Sequence, residues 1–221
     1  MLVRNWMTPE VITVSPDTSL LKTGKILKES NVRRVPVVDK SGAVIGIISD
    51  RDVRDASPSK ATTLDMYEMH YLLAEIKARQ IMTSDPITIK SSDTVEKAAM
   101  IMLDNKIGGL PVVDDGKLVG IISDQDVFKA LVNISGAREG GVQLGISLEN
   151  KLGAMRPVLD LIRNRGGRII SILSANNDGG ERTIFLRIKS MESREEEDAL
   201  IEEVKKHCDL LYWARNEVHF A

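Results

Sequence analysis

One segment of eight residues, Gly46-Ile47-Ile48-Ser49-Asp50-Arg51-Asp52-Val53, occurs twice in the sequence. It returns as Gly120-Ile121-Ile122-Ser123-Asp124-Gln125-Asp126-Val127, changed only where Arg51 becomes Gln125. Upstream, Met7-Thr8 recurs as Met82-Thr83 at an offset of 75 residues. That period is too long for one unit of a stacked solenoid. The duplication therefore predicts two copies of a small domain.

Each copy predicts the same order of elements, β-α-β-β-α. A short β-branched strand (residues 11–14 and 87–89) precedes a polar break and an amphipathic helix. Two almost wholly apolar strands follow, joined by a tight Asp- and Gly-containing turn, as expected when both faces of a sheet are covered. The second helix begins at the Ser-Asp-x-Asp segment.

A third unit follows the two copies. Ser57-Pro58-Ser59-Lys60 is a break, after which Thr62 or Thr63 could cap a linker helix with a methionine-rich apolar stripe, predicted to serve packing. Residues 137–141 form a linker by composition. Beyond it we predict strand 142–147, helix 153–164, strands 168–175 and 183–189, a helix from residue 193 whose acidic positions 195–198 are solvated, and strand 210–215. This β-α-β-β-α-β order is the ferredoxin-like plan.

These observations predict an α/β (α+β) chain with five segments. The predicted boundaries are 1–58 for the first copy, 59–80 for a helical linker, 81–135 for the second copy, 136–141 for a linker and 142–221 for the ferredoxin-like domain.

Composition excludes several classes of partner. The 221 residues carry 30 Lys+Arg against 32 Asp+Glu, a net charge of −2, which disfavours nucleic acid or an acidic membrane surface. The single cysteine excludes an internal disulfide framework and favours a reducing compartment. The first ten residues hold no apolar stretch of signal-peptide length, and no apolar run approaches a membrane span. We therefore expect a cytoplasmic protein.

The two Ser-x-x-Asp segments, Ser49/Asp52 and Ser123/Asp126, are the strongest candidate sites. Each lies at a strand-to-helix junction, where free N–H groups and the helix dipole favour a phosphate or a hydroxyl-rich ligand. An ionised Asp can accept both hydroxyl protons of a ribose diol. The same spacing is also nearly a capping box that only starts a helix. Spacing alone leaves both interpretations open.

No catalytic or metal site is predicted. The three histidines, His70, His207 and His219, are scattered, and Cys208 has no CxxC partner or orienting base. The sequence contains no GxGxxG, GxxxxGK[ST] or GxSxG motif. We expect a protein without enzymatic activity.

The repeated Met-Thr, Pro-Val-Val-Asp and Gly-Ile-Ile-Ser-Asp-x-Asp segments resemble CBS domains, which pair as a Bateman module. The resemblance covers residues 1–134. The third unit resembles an ACT domain, and the whole chain is similar to the acetoin-utilisation regulatory proteins that join a CBS pair to an ACT domain.

The resemblance implies that AMP, ADP, ATP or a related adenosyl compound binds in the clefts between the two copies. It assigns the ribose to Asp52 and Asp126, with the hydroxyl residues Ser49 and Ser123. The segments it assigns to adenine are Thr13, Val14, Thr88 and Ile89, together with Arg34, Val35, Pro36, Gly109, Leu110 and Pro111. Arg33, Arg34, Arg51 and Arg54 match Gly108, Gly109, Gln125 and Phe128 in the second copy. Because arginine forks suit phosphates, we expect the first cleft to prefer the more phosphorylated nucleotide; a surface or dimer role for these arginines is the alternative.

For the ACT-like unit, the resemblance assigns a small-ligand site to Asn150, Lys151, Leu152 and Gly153. Leu152 stands where the family often has proline, so a purely dimerising role is the alternative. The function expected for the whole chain is a homodimeric nucleotide sensor acting on an unidentified protein. A constitutive scaffold and a nucleotide-processing enzyme are the alternatives.

Overall fold

The apolar strand pairs predicted for each copy form antiparallel hairpins in the structure, a computed structural model that describes residues 1–57, 65–177, 180–215 and 217–220. The chain divides into two units, Met1–Phe128 and Lys129–Ala221. The first unit contains both copies of the repeat up to the start of the last helix of the second copy.

The elements of the two copies and of the segment between them are α1 (Leu20–Glu29), β1 (Arg34–Val38), β2 (Val44–Ser49), α2 (Asp50–Asp55), α3 (Met66–Glu75), α4 (Ala78–Ile81), β3 (Thr83–Ser84), α5 (Val95–Asn105), β4 (Gly109–Asp114), β5 (Lys117–Ser123) and α6 (Asp124–Ile134). The register places Arg34 opposite Ser49 in the first hairpin and Gly109 opposite Ser123 in the second. The hairpins and the four repeat helices confirm the α-β-β-α part of the predicted order. The Ser-Asp-x-Asp segments therefore begin helices directly after the inner strands.

Two local predictions for this unit differ from the structure. The strands predicted at 11–14 and 87–89 are reduced to single parallel bridges, in which Val14 pairs with Val37 and Ile89 with Val112. Thr62 and Thr63 lie outside the described residues, and the cap of α3 is Asp65, whose side chain accepts from the Glu68 backbone N–H at 2.8 Å.

The two copies exchange their amino-terminal segments. Thr83 of the second copy pairs with Ile47 on β2, and Thr8 of the first copy pairs with Ile121 on β5. Each exchange seats the methionine of the Met-Thr repeat against the glycine that opens the Gly-Ile-Ile-Ser motif. A side chain at Gly46 would collide with Met82, whose Cβ lies 3.1 Å from the position that a Cβ would take. The glycine of the motif therefore makes room for the other copy.

The second unit has the elements β6 (Val142–Glu149), α7 (Arg156–Asn164), β7 (Ile169–Asn176), β8 (Glu181–Ile188), α8 (Arg194–His207), β9 (Asp209–Ala214) and β10 (Val218–Phe220). Its five strands form one antiparallel sheet in the order β10-β9-β6-β8-β7. The fourth strand of the predicted plan thus lies beside the first, as in a ferredoxin-like sheet. Apolar side chains of β6 and β8 pack with α7 and α8 to form its core.

Three features of this unit depart from prediction. Helix α7 begins at Arg156 and not at Gly153, because Gly153 has a φ of +79°, in the left-handed region. Strand β10 was not predicted. Glu197, expected to be solvated, is 6% exposed and accepts from Arg215 Nε at 2.8 Å and from the Met191 backbone N–H at 3.0 Å.

Candidate nucleotide site

A cavity of about 820 Å³ in the first unit contains the Ser49/Asp52 segment. Its volume falls within the range of about 300–1,000 Å³ typical of small-molecule sites. The first copy contributes Arg33, Arg34, Ile47, Ser49, Asp50, Arg51, Asp52 and Arg54 to the lining, and the second contributes Thr83, Asp85, Pro86, Ile87, Asn105, Lys106, Ile107, Gly108 and Gly109. The cavity is therefore built by both copies.

The Ser49/Asp52 pair forms a complete capping box. Asp52 Oδ2 accepts from the Ser49 backbone N–H and from Ser49 Oγ, both at 2.7 Å, and the Asp52 backbone N–H donates to Ser49 Oγ at 3.3 Å. Within the described residues, Asp52 Oδ1 accepts no hydrogen bond. The capping interpretation is thus confirmed for Asp52 Oδ2. The cap fixes the orientation of the carboxylate and does not use its second oxygen, Oδ1, which can accept from a ligand. The Ser49 proton is directed to Asp52, so Ser49 meets a ligand as an acceptor.

The Ser123/Asp126 pair repeats part of this geometry. Asp126 Oδ2 accepts from the Ser123 backbone N–H at 3.0 Å and from Ser123 Oγ at 2.7 Å. Asp126 is 6% exposed and is among the few buried charged side chains of the described residues. By the repeat offset, the segments that face Ser49/Asp52 from the second copy correspond to residues 10–12 and 32–34 of the first copy.

The structure brings six of the residues assigned to nucleotide binding to the first cavity: Ser49, Asp52, Arg33, Arg34, Arg51 and Gly109. The remaining assigned residues lie outside its lining. Thr13 is partly exposed and Thr88 is exposed, whereas the others on the bridges and outer strands are buried: Val14, Ile89, Val35, Pro36, Leu110 and Pro111. Their assignment to adenine stays a prediction.

Arg34 differs from the other arginines of the cavity because it is partly buried and crosses to the second copy. Its Nη1 donates to the carbonyl oxygen of Gly108. Burial lowers the pKa of the Arg34 guanidinium, and the nearby carboxylate of Asp124 opposes that shift. Arg33, Arg51 and Arg54 are exposed at the cavity rim.

Sequence reasoning missed the apolar wall of the cavity. Pro86, Ile87 and Ile107 belong to the second copy but face the Ser49/Asp52 pair of the first. The Met-Thr repeat just upstream of Pro86 was the available signal, since its position on β2 is what brings this segment to the cavity.

The loop assigned to an ACT ligand is exposed. Asn150, Lys151, Leu152 and Gly153 form the connection from β6 to α7, with Lys151 Nζ paired to Glu149 Oε2 at 2.5 Å. None of the four lines a second cavity, which lies between α8 and strands β9 and β10 of the second unit.

Other reactive groups are sparse. Among residues 1–57, 65–177, 180–215 and 217–220, no three His, Cys, Asp or Glu side chains are placed to hold a metal ion. Burial raises the pKa of the Cys208 thiol, which disfavours the nucleophilic thiolate. None of the helices in the described part of the chain has both the length and the apolar composition needed to span a bilayer.

Comparison with known proteins identifies the first unit. The CBS domain profile matches residues 3–59 and 78–133, together just over half of the chain. The chain therefore belongs to the CBS domain family, and its two copies form a tandem CBS pair, or Bateman module.

Three solved structures are similar to this pair. CBSX2 of Arabidopsis thaliana in complex with AMP is 32% identical, with a TM-score of 0.51, over 60% of this chain and 97% of its own. The CBS pair of protein MJ0100 in complex with 5′-methylthioadenosine and S-adenosyl-L-methionine is 28% identical, with a TM-score of 0.50, over 59% and 99%. A putative acetoin utilization protein of Vibrio cholerae is 28% identical, with a TM-score of 0.52, over 63% and 96%. The CBS pairs of CBSX2 and of MJ0100 thus bind adenosyl ligands.

Proposed function

We propose that this protein is a non-catalytic sensor that binds an adenine nucleotide, or a related adenosyl compound, in the clefts of its CBS pair. The observation that carries the proposal is the Ser49/Asp52 capping box beside a cavity built by both copies. The box fixes one carboxylate oxygen on the helix and leaves the other for a ribose.

The lining of the cavity suits the three parts of a nucleotide. Ile87 and Ile107 offer apolar surface to a base, and Asp52 Oδ1 can accept from two ribose hydroxyls. The exposed guanidinium groups of Arg33 and Arg51 suit phosphate oxygens. The AMP bound to CBSX2 and the two adenosyl compounds bound to the MJ0100 pair support this class of ligand.

A ligand in this cavity contacts both copies, and therefore can favour one relative arrangement of them. Such switching requires tighter binding to one arrangement than to the other. The concentration of arginines in the first cavity supports its preference for the more phosphorylated nucleotide. Equal ATP affinity of the Ser49→Ala/Asp52→Ala and Ser123→Ala/Asp126→Ala variants, measured by calorimetry, would contradict that preference.

We further propose that the second unit is an ACT-like domain. The ferredoxin-like strand order and the exposed loop from Asn150 to Gly153 support this proposal.

A homodimer is supported by large apolar side chains exposed on the first unit, including Tyr67, Tyr71 and Leu103. The similar acetoin utilization protein supports a link to acetoin or acetate metabolism.

Mass spectrometry of small molecules retained by the gently purified protein tests the proposal, followed by titration of the compound found. We expect an adenosyl compound and a rise in melting temperature on its addition. A constitutive scaffold is the competing function, because a capping box alone explains the Ser49/Asp52 pair; it predicts no retained nucleotide and no thermal shift. Cleavage of ATP above a Ser49→Ala/Asp52→Ala control would instead indicate an enzyme.

A further inference from the structure

Arg34 lines the first cavity and, by the repeat, also holds a position in the second candidate site. The backbone of Arg34 on β1 lies opposite Ser49 on β2, just as Gly109 on β4 lies opposite Ser123 on β5. Because Arg34 and Gly109 are matched positions of the repeat, Arg34 holds in the second site the position that Gly109 holds in the first. Its side chain nevertheless reaches the first cavity, where it lies against Gly108 and Gly109.

Only one of the two matched positions can hold an arginine in this packing. A Cβ at Gly109 would collide with the Arg34 guanidinium and would lie 2.9 Å from the backbone oxygen of Ile122, which cannot move as a flexible side chain can. The change from Arg34 to Gly109 between the copies is therefore a steric requirement as well as a difference in charge.

The guanidinium is also placed among carboxylates of both copies. It interacts electrostatically with Asp124 and Asp126 at the start of α6, and with Asp50 at the start of α2. Asp126 is the carboxylate assigned to the ribose of the second site. Arg34 thus lines the first cavity and interacts with a carboxylate that the repeat assigns to the second site.

We infer that Arg34 couples the two sites, so that a phosphorylated ligand in the first cavity weakens the binding of a phosphorylated ligand in the second. This inference rests on the proposed nucleotide-binding function. A phosphate in the first cavity draws the guanidinium into a bidentate pair, and a second phosphate then meets Asp124 and Asp126 without that positive charge. A ligand that lacks a phosphate makes no such demand.

The coupling is reciprocal, because thermodynamic linkage requires each ligand to change the affinity of the other by the same factor. The arginine-rich first cavity fills first. Emptying that cavity should therefore strengthen AMP binding at the second site, by about tenfold within the usual range of site-to-site coupling. Adenosine binding at the second site should change less than about twofold, because no phosphate competes for Arg34.

Site-resolved NMR of isoleucine methyl groups tests this inference, with Ile87 reporting the first cavity and its repeat mate Ile12 the second. AMP and adenosine are titrated into the wild type and into Asp52→Asn, which weakens the first site. We expect the tenfold gain at Ile12 with AMP only, and no gain when Asp52→Asn is combined with Arg34→Met. Arg79→Gln, an exposed arginine of the same unit that pairs with Asp17 and does not line this cavity, is the matched control and should keep the gain.

The outcomes separate the inference from the proposed function. AMP binding at both sites with the Ile12 affinity unchanged by Asp52→Asn would overturn the coupling and leave the sensor intact. Filling of the Ile12 site before the Ile87 site, or of one site alone, would also overturn it. No response of either methyl group to AMP or adenosine would reject the nucleotide function itself. Thermal unfolding verifies that Arg34→Met is folded, and Arg34→Lys, which keeps the charge without the bidentate fork, should retain only part of the gain.

Discussion

Replacement of Asp52 by Asn separates the helix cap from the proposed ribose contact of this carboxylate. The Asn side-chain oxygen can still accept from the Ser49 backbone N–H and hydroxyl, and the Asp52 backbone N–H still donates to Ser49. The cap is therefore largely kept, and we expect a loss of stability below about 1 kcal/mol. The free oxygen of the carboxylate, by contrast, is lost as a charged acceptor.

The size of the binding defect follows from the hydrogen bonds that Asp52 Oδ1 can accept. A hydrogen bond to a charged partner contributes about 1.5–3 kcal/mol, against about 0.5–1.5 kcal/mol for a neutral one. The two hydrogen bonds from the ribose hydroxyls together should therefore contribute about 2 kcal/mol less to the binding free energy. This difference corresponds to roughly a 30-fold weaker affinity at the first site.

Isothermal titration calorimetry with AMP measures this change. Asp50→Asn is the matched control, because it removes the same charge from the same cavity. The Asp50 side chain is exposed, and its Oδ2 lies 3.4 Å from Arg54 Nη2. We expect it to leave AMP affinity within about threefold of the wild type. Equal effects of the two substitutions would refute a specific ribose contact, and so would an Asp52→Asn variant that binds AMP as the wild type does.

Three further predictions concern the fold. Gly46→Ala should lower the free energy of unfolding by about 1–3 kcal/mol, because the new methyl group meets Met82. In a Met82→Ala background the same substitution should cost less, as measured by urea unfolding. Equal losses in the two backgrounds would contradict the exchange of segments. Glu197→Ala should lower the free energy of unfolding by about 1–3 kcal/mol, because the Met191 N–H and the 16%-exposed Arg215 lose a buried acceptor, while Arg215 keeps its contact with Asp198 at 2.7 Å. A change below about 0.5 kcal/mol in the unfolding of the second unit would contradict this. Asp39 accepts from the Ser41 hydroxyl and from two backbone amides of the following turn, and these hydrogen bonds lower the pKa of its carboxyl group. The stability that Asp39 contributes is therefore fully present above about pH 4 and is lost as the pH falls through the lowered pKa. Below about pH 4 the melting temperature of the wild type should fall more steeply than that of Asp39→Asn, and parallel curves would contradict this.

Local patterns were sufficient to predict the two hairpins of the repeat and the helices α2 and α6 that start directly after them. The Ser-Asp-x-Asp segment carries its own cap, and the Asp39 turn carries hydrogen bonds within five residues, so neither depends on distant parts of the chain. The capping box and the ribose site could not be separated at this level, because the same carboxylate can serve both with different oxygens.

Two contacts that the sequence did not predict join residues that lie apart in the chain. Nothing near Met82 indicates that it packs on Gly46 of the other copy, and nothing near Glu197 indicates that Arg215 will bury it. The same limit applies to the cavity, since Ile87 reaches the Ser49/Asp52 pair only through the exchange of segments.

A crystal structure of the protein with AMP at saturating concentration is the most direct test of the account. It should show the two ribose hydroxyls on Asp52 Oδ1 and the adenine against Ile87 and Ile107, between the two copies. Clefts that hold only solvent, or a nucleotide whose ribose lies away from Asp52, would contradict the assignment of this site.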